Sequence, residues 1–375
     1  MVNQERMLKE FFELVKIKCS TRDEREVADV LKARLSQLGL EVTEDQAGEK
    51  IGGNCGNLIG YKKGTAKDAP VLMLSAHMDC VEPCGGIEPQ LKDGIITSAG
   101  NTILGADDKA GIVGILEALR QLTEQQLTHG DIQVVFTVAD EGGLNGAKHL
   151  DTSKVKADFG YALDSGGSPG EVIIMAPGQD SLDVKIMGKK AHAGVAPEEG
   201  INAIVVAGKA MAQLKQGRID FETTANVGVI KGGIATNIVP DMVELACEAR
   251  SRSMEKLKAQ TAHMKETFEK LAAEHGAKAE VIVRREYDSF VLAEDSLPVT
   301  VAVKAIEKLG FPLDKKGTGG GSDANLFNSF GIPTAVLGVG MSKVHTTEEF
   351  IKEVDLYNTG ELVLALIGQA AQMKK

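Results

Sequence analysis

Tryptophan is absent from the 375 residues, and tyrosine and phenylalanine occur only four and 11 times. That scarcity argues against aromatic platforms on which single-stranded nucleic acid stacks. A basic excess is missing too: 42 lysines and arginines face 53 acidic residues, for a formal charge of -11. That balance opposes a phosphate-backbone partner and an anionic membrane surface. No run approaches the roughly eighteen apolar residues of a membrane span. The opening MVNQERMLKEFFELVKIK has charges every few residues and no apolar core of a secretory signal. The five cysteines (Cys19, Cys55, Cys80, Cys84 and Cys247) are odd in number and without a tight repeat, so they form no disulfide framework. Cys80 and Cys84 have the spacing of a CxxxC metal or redox pair. The expected compartment is the cytoplasm. Neither GxxxxGK[ST], a strand-linked GxGxxG nor GxSxG occurs, which argues against nucleotide-loop and serine-hydrolase chemistry.

What is present is an ordinary core, with 43% apolar residues. Apolar spacing predicts helices over 5–18 and, from Ser20 or Thr21 with a Thr21/Glu24 capping box, up to a stop at Gly39. Strands are expected at 40–43, 57–61, 71–76, 132–139 and 160–163, with a helix at 108–122. Alternating strands and helices imply an α/β sheet covered on both faces. From about Pro177 the order becomes β-α-β-β-α-β, the ferredoxin-like pattern. Its strands fall near 182–186, 223–231, 242–250 and 278–285, and its helices near 199–215 and 253–274. A helix at 297–309, a short one at 322–330, a strand at 333–340 and a helix at 356–373 close the chain. The expected division is 1–178 and 291–375 for one domain, with 179–290 inserted.

Polar clusters follow the apolar strands, where open α/β sheets bind ligands. His77 and Asp79 would share a face if the strand continued through both, which suits a metal-bound imidazole oriented by a carboxylate. Asp107 and Asp108 stand at the mouth of a helix; capping accounts for one aspartate but less well for two. Asp140 and Glu141 end one strand, and Asp164 ends another. Turns use aspartate and glycine as well, but carboxylates at three successive element ends exceed what turns require. His345 lies beyond the last apolar strand. Gly319–Gly321 with Ser322 and Asp323 could cradle an anion at a helix start.

Laid out in order, SAHMD (75–79), GADDKAG (105–111), FTVADEGGLNGAKHL (136–150), ALDSGG (162–167), KKAHAGVAPEEGINAI (189–204), GGIATNIVP (232–240), EARS (248–251), GGGSDANLF (319–327) and KVHTTEEF (343–350) closely resemble the M20 family of metallopeptidases, in particular its peptidase T-like aminopeptidases. The resemblance implies a zinc-peptidase-like α/β catalytic domain with a mixed sheet between helices, plus an inserted ferredoxin-like lid or dimerisation domain. It implies two divalent ions, zinc first with cobalt or manganese also suited, sharing Asp107. His77 and Asp164 would complete one site, Glu141 and His345 the other. The Asp107–Asp108 peptide would be cis. Asp79 would orient His77, and Asp140 would be the general base where the family normally carries glutamate. His192 would stabilise the oxyanion, and Asn237 and Arg250 would contact substrate. A solvated strand end or an internal salt bridge is the other reading of Arg250. The implied substrate is a short peptide. N-acyl amino acids or other small amides, or a site that keeps its metals without catalysis, are the alternatives, the last motivated by Asp140. A homodimer through the inserted domain is compatible with the resemblance.

Overall fold

The apolar runs become the strands Leu72–His77, Ile132–Thr137 and Phe159–Ser165. Leu72–His77 lies between the other two and runs parallel to both, with Leu72 opposite Ile132 and His77 opposite Thr137. All six residues of each of the first two strands are buried, which is why they read as unbroken apolar runs. Thr334–Gly338 continues the parallel set beyond Phe159–Ser165. Leu58–Lys62, Glu41–Glu44 and Glu171–Ala176 add antiparallel strands, giving the expected mixed sheet. The shared register brings the carboxyl ends of the parallel strands level, so the segments after His77, Thr137 and Leu163 open on one edge.

The computed structural model describes residues 1–374. These form two compact units, one comprising Met1–Ile174, Val291–Gly317 and the chain from Ser322 onward, the other Met175–Phe290 with Thr318–Gly321. In the first, helix Ala106–Glu124 is buried over most of its length. A Cβ on Gly111 would fall 2.7 Å from Leu163 Cβ and O, so only glycine lets the helix sit this close to the strand. Helices Gln4–Val15, Arg25–Gln37, Leu297–Leu309 and Glu353–Ala370 bury apolar stripes in the same unit.

A four-stranded sheet ordered Met341–Ser342, Phe350–Lys352, Ile95–Ala99 and Glu88–Lys92 was not anticipated. Its strands are short, and Glu88–Lys92 is largely exposed and contains Pro89, so no apolar alternation announces it. It closes the loop that carries His345, because Met341 pairs with Ile351 and Ser342 with Phe350.

The second unit has strands Gly178–Met187, Thr223–Gly232, Met242–Ser251 and Lys278–Tyr287, with helices Ala203–Gln213 and Met254–Glu274 between them. Their antiparallel order places Met242–Ser251 and Lys278–Tyr287 on either side of Gly178–Met187, the ferredoxin-like arrangement. Leu182, Val184 and Ile186 pack with Val206, Leu257 and Phe268 in its core. Asn202 caps the first helix by accepting from the Ile204 and Val205 amides, and thereby sets its start later than 199.

One local expectation is corrected. The second helix begins at Arg25, and its N-cap Glu24 makes no side-chain cap bond; Thr21 instead donates to Asp79. Cys80 is brought beside Cys19, with sulfurs 3.8 Å apart, rather than paired with Cys84, which lies against Ser20. Among the described residues no helix is long and apolar enough to cross a membrane.

Candidate metal centre

His77 is the last residue of its strand and is 2% exposed. Its Nδ1 lies 3.4 Å from Asp79 Oδ1 and 3.1 Å from the Asp79 carbonyl oxygen, leaving Nε2 directed at Asp107 Oδ1, 2.9 Å away. The strand stops before Asp79, so a bend, not strand alternation, brings this carboxylate beneath the ring. Asp79 is fully buried and accepts from Thr21 Oγ1 at 2.7 Å and from the amides of Asp140 and Glu141 at 3.0 and 3.3 Å.

Asp107 and Asp108 have non-helical dihedrals at the start of their helix, and the peptide between them is cis. The approach is held by Glu349, whose buried carboxylate accepts from the Leu104 and Gly105 amides at 2.8 Å each and from the Asp107 amide at 3.1 Å. Asp107 is thus fixed between two imidazoles: Oδ1 faces His77 Nε2, and Oδ2 lies 3.3 Å from His345 Nε2. His345 is half exposed on its loop, with φ of 63°, and its Nε2 is 2.8 Å from Glu141 Oε1.

Ligand-capable atoms of His77, Asp107 and Glu141 lie within 4.8 Å of one another, as do those of His77, Asp140 and Asp164. Asp140 Oδ1 is buried without a hydrogen-bond partner among the described residues, as is Asp323 Oδ1; Asp323 Oδ2 accepts from Thr137 Oγ1 at 2.5 Å. Burial, then the charge of Asp323, pushes Asp140 well above the usual carboxylate range. Burial and the charge of Asp107 do the same to Asp164. Burial also opposes ionisation of Asp107, but hydrogen bonds with His345 and His77 outweigh it and hold this carboxyl low. Those same bonds, first from Asp107 and then Glu141, raise His345 to about 10.

Acid crowded at this density needs cations. The protein's own arrangement recruits two imidazoles for that purpose, though imidazole nitrogen and carboxylate oxygen are also the donor set zinc takes. The convergent donors, the carboxylate split between two histidines and the unpartnered Asp140 oxygen all fit a pair of divalent ions. The chain thus has two candidate clusters for a dinuclear centre.

Three other residues singled out in the sequence lie in the second unit. His192 and Asn237 are neighbours there, since the Ala193 amide donates to the Asn237 carbonyl at 2.9 Å. The Gly194 amide donates to His192 Nδ1 at 3.2 Å, which leaves the proton of a neutral ring on Nε2. Arg250 makes the internal salt bridge: Nε and Nη2 donate to Glu248 at 3.1 and 3.0 Å. Gln179 Nε2 donates to the same carboxylate at 2.9 Å.

Sequence reasoning missed Glu349 and gave Thr21, Glu24 and Asp323 other roles, the first two as a capping box and the last in an anion cradle; Asp323 instead accepts from Thr137. Glu24, Asp323 and Glu349 are buried against distant chain, which local spacing does not reveal.

Residues 73–369 match Peptidase family M20/M25/M40. The YqjE protein of Bacillus subtilis, itself uncharacterised, is 45% identical over 99% of this chain and 100% of its own length. The crystal structure of the aminopeptidase PepT from Bacillus cereus superposes with a TM-score of 0.92 at 47% identity, covering 99% of both chains. A tripeptidase from Staphylococcus aureus gives 0.96 at 43% identity over the whole of both. By its matched sequence, its fold and its clustered ligands, the chain belongs to peptidase family M20/M25/M40 and is a metallopeptidase of the M20 type.

Proposed function

We propose that this protein is a dinuclear metal-dependent aminopeptidase that hydrolyses short peptides, tripeptides among them. The observation that carries the reading is Asp107, whose two carboxylate oxygens face His77 Nε2 and His345 Nε2 separately. A carboxylate that bound two ions through separate oxygens would have that disposition. The similarity to a PepT aminopeptidase and a tripeptidase supports the substrate class.

In this reading His77 and Asp164 would hold one ion and Glu141 and His345 the other, with Asp107 available to both. When bound, the ions would supply Lewis acidity toward the scissile carbonyl and make water easier to deprotonate. Asp79 keeps the His77 ring oriented through Nδ1. Asp140 takes the proton of the attacking water at its unpartnered Oδ1 and passes it to the leaving amine. His192, with Nε2 protonated, is the donor for the developing oxyanion. Arg250 and Asn237 contact the substrate's polar ends. Arg250 keeps Nη1 outside its pair with Glu248 and so retains a donor for a carboxylate.

The test is turnover of a tripeptide panel beside N-acyl amino acids, using metal-stripped protein to which zinc, cobalt or manganese is added in turn. Tripeptide cleavage from the amino end, dependent on added metal, is expected. Preference for N-acyl amino acids would replace the substrate class. Folded, metal-loaded protein without turnover on either would make the site a binding site only.

A further inference from the structure

The carbonyls of Ala139 and Asp140 accept from backbone amides within their own loop, whereas the amides leading into Asp140 and Glu141 are held by side chains from elsewhere. After the strand ends at Thr137, four successive amides donate to carboxylate or amide oxygens: Val138 to Asn57 Oδ1 at 3.0 Å, Ala139 to Glu24 Oε1 at 3.0 Å, and Asp140 and Glu141 to the two oxygens of Asp79. Asn57 and Asp79 are accounted for by other duties, Asn57 also donating to Asp45 and Gly146 and Asp79 facing His77. Glu24 is not. It is fully buried, and its Oε2 has no partner among the described residues. A carboxyl kept in such a place is costly unless its hydrogen bonds matter.

Those bonds end on two unusual backbone positions. Glu24 Oε1 accepts from the Arg22 amide at 2.8 Å as well as from Ala139. Arg22 has φ of 74° and Ala139 of 50°, the left-handed region that residues with a Cβ avoid. One oxygen therefore pins two unfavourable turns together, and the second turn sets the direction in which Asp140 leaves the backbone. Aspartate has one rotatable bond fewer than glutamate with which to correct its reach. Backbone placement then decides where its carboxylate falls.

We infer that Glu24 is a positioning residue for catalysis: through the Ala139 amide it aims Asp140 at the attacking water, without binding metal or substrate. This rests on the function proposed above. Glu24→Ala removes the acceptor; Glu24→Gln keeps an oxygen for both amides. Leu31→Ala, in the fully buried core on the same helix, supplies a destabilised control that does not touch the loop. With zinc-loaded protein and a tripeptide, Glu24→Ala lowers kcat roughly 10–100-fold, the scale of a displacement near 1 Å. KM stays within about twofold and both metal equivalents remain, because Asp79 still holds the Glu141 amide. Glu24→Gln returns kcat to within about threefold of the parent, and Leu31→Ala leaves kcat unchanged below its melting temperature. The inference is overturned by full kcat in Glu24→Ala, by metal loss that accounts for the defect, or by a Gln variant no better than Ala. Amide hydrogen exchange at Ala139 is read in parallel. Faster exchange in Glu24→Ala than in Leu31→Ala or Glu24→Gln is expected even if the parent cleaves no peptide, so failure of the proposed function and failure of the clamp give different results.

Discussion

His345 Nε2 lies 2.8 Å from Glu141 Oε1, and the two residues reach that contact from supports of different stiffness. Glu141 sits on a loop whose amides are bound by the buried Asp79 carboxylate. His345 sits on a half-exposed loop closed by two-residue and three-residue strands. In the proposed function, the ion assigned to these two should be the more easily removed of the pair.

His345→Ala is accordingly expected to bind one equivalent of zinc where the parent binds two, with the fold retained. The loss is of an exposed side chain, so the core is untouched. Metal analysis after dialysis, with circular dichroism alongside, measures both. Two tightly held equivalents in the variant would remove His345 from the ligand set.

Asp140→Asn separates proton transfer from metal binding. The amide is nearly isosteric, so it leaves no cavity, but it cannot accept the proton from water. Turnover should fall by at least about 100-fold, the usual scale for a general base, while metal content stays within error. If metal is lost in proportion to activity, Asp140 is a ligand, as its proximity to His77 and Asp164 would then explain.

Arg250 gives a prediction on substrate recognition. Two of its guanidinium nitrogens are committed to Glu248, so only part of its donor capacity can meet a ligand. Arg250→Ala should raise KM for a tripeptide with a free carboxylate about 10-fold or more, and leave KM for the C-terminal amide nearly unchanged, since a charge-assisted bond is lost only from the first. Equal effects on both peptides would place Arg250 in the support of the sheet.

The parallel strands and the long helix were legible in the sequence because burial on both faces writes itself as continuous apolar runs. The convergence of His77, Asp107, Asp140, Glu141, Asp164 and His345 was legible because they stand at or beyond strand ends or at the start of a helix, at the edge where ligands bind, and because each falls in a motif that resembles the M20 family. The supports were not. Thr21 looked like a helix cap because a hydroxyl three residues before a glutamate has capping-box spacing. In the fold that hydroxyl is used by Asp79, and the glutamate by Ala139. Local spacing cannot reveal a partner that tertiary structure supplies. The hairpin Glu88–Ala99 was missed because its exposed, proline-containing first strand carries no apolar alternation.

The buried carboxyl at Glu24 also makes a pH-dependent prediction for stability. Burial, aided by the charge of Asp79, raises it to about 7, against the opposing effect of the amides it accepts from. In the unfolded chain a glutamate ionises near 4.3, so through about pH 4.3 to 7 the folded state holds a proton that the unfolded state has released. Stability must then fall as pH rises across that window, with the full penalty present above about pH 7. Glu24→Gln carries no such proton. Measured on metal-free protein, its melting temperature relative to the parent should be higher at pH 8 than at about pH 3, where Glu24 is protonated in both states and contributes little difference. A relative melting temperature that is flat with pH, or that moves the other way, would show that Glu24 is ionised in the folded protein throughout.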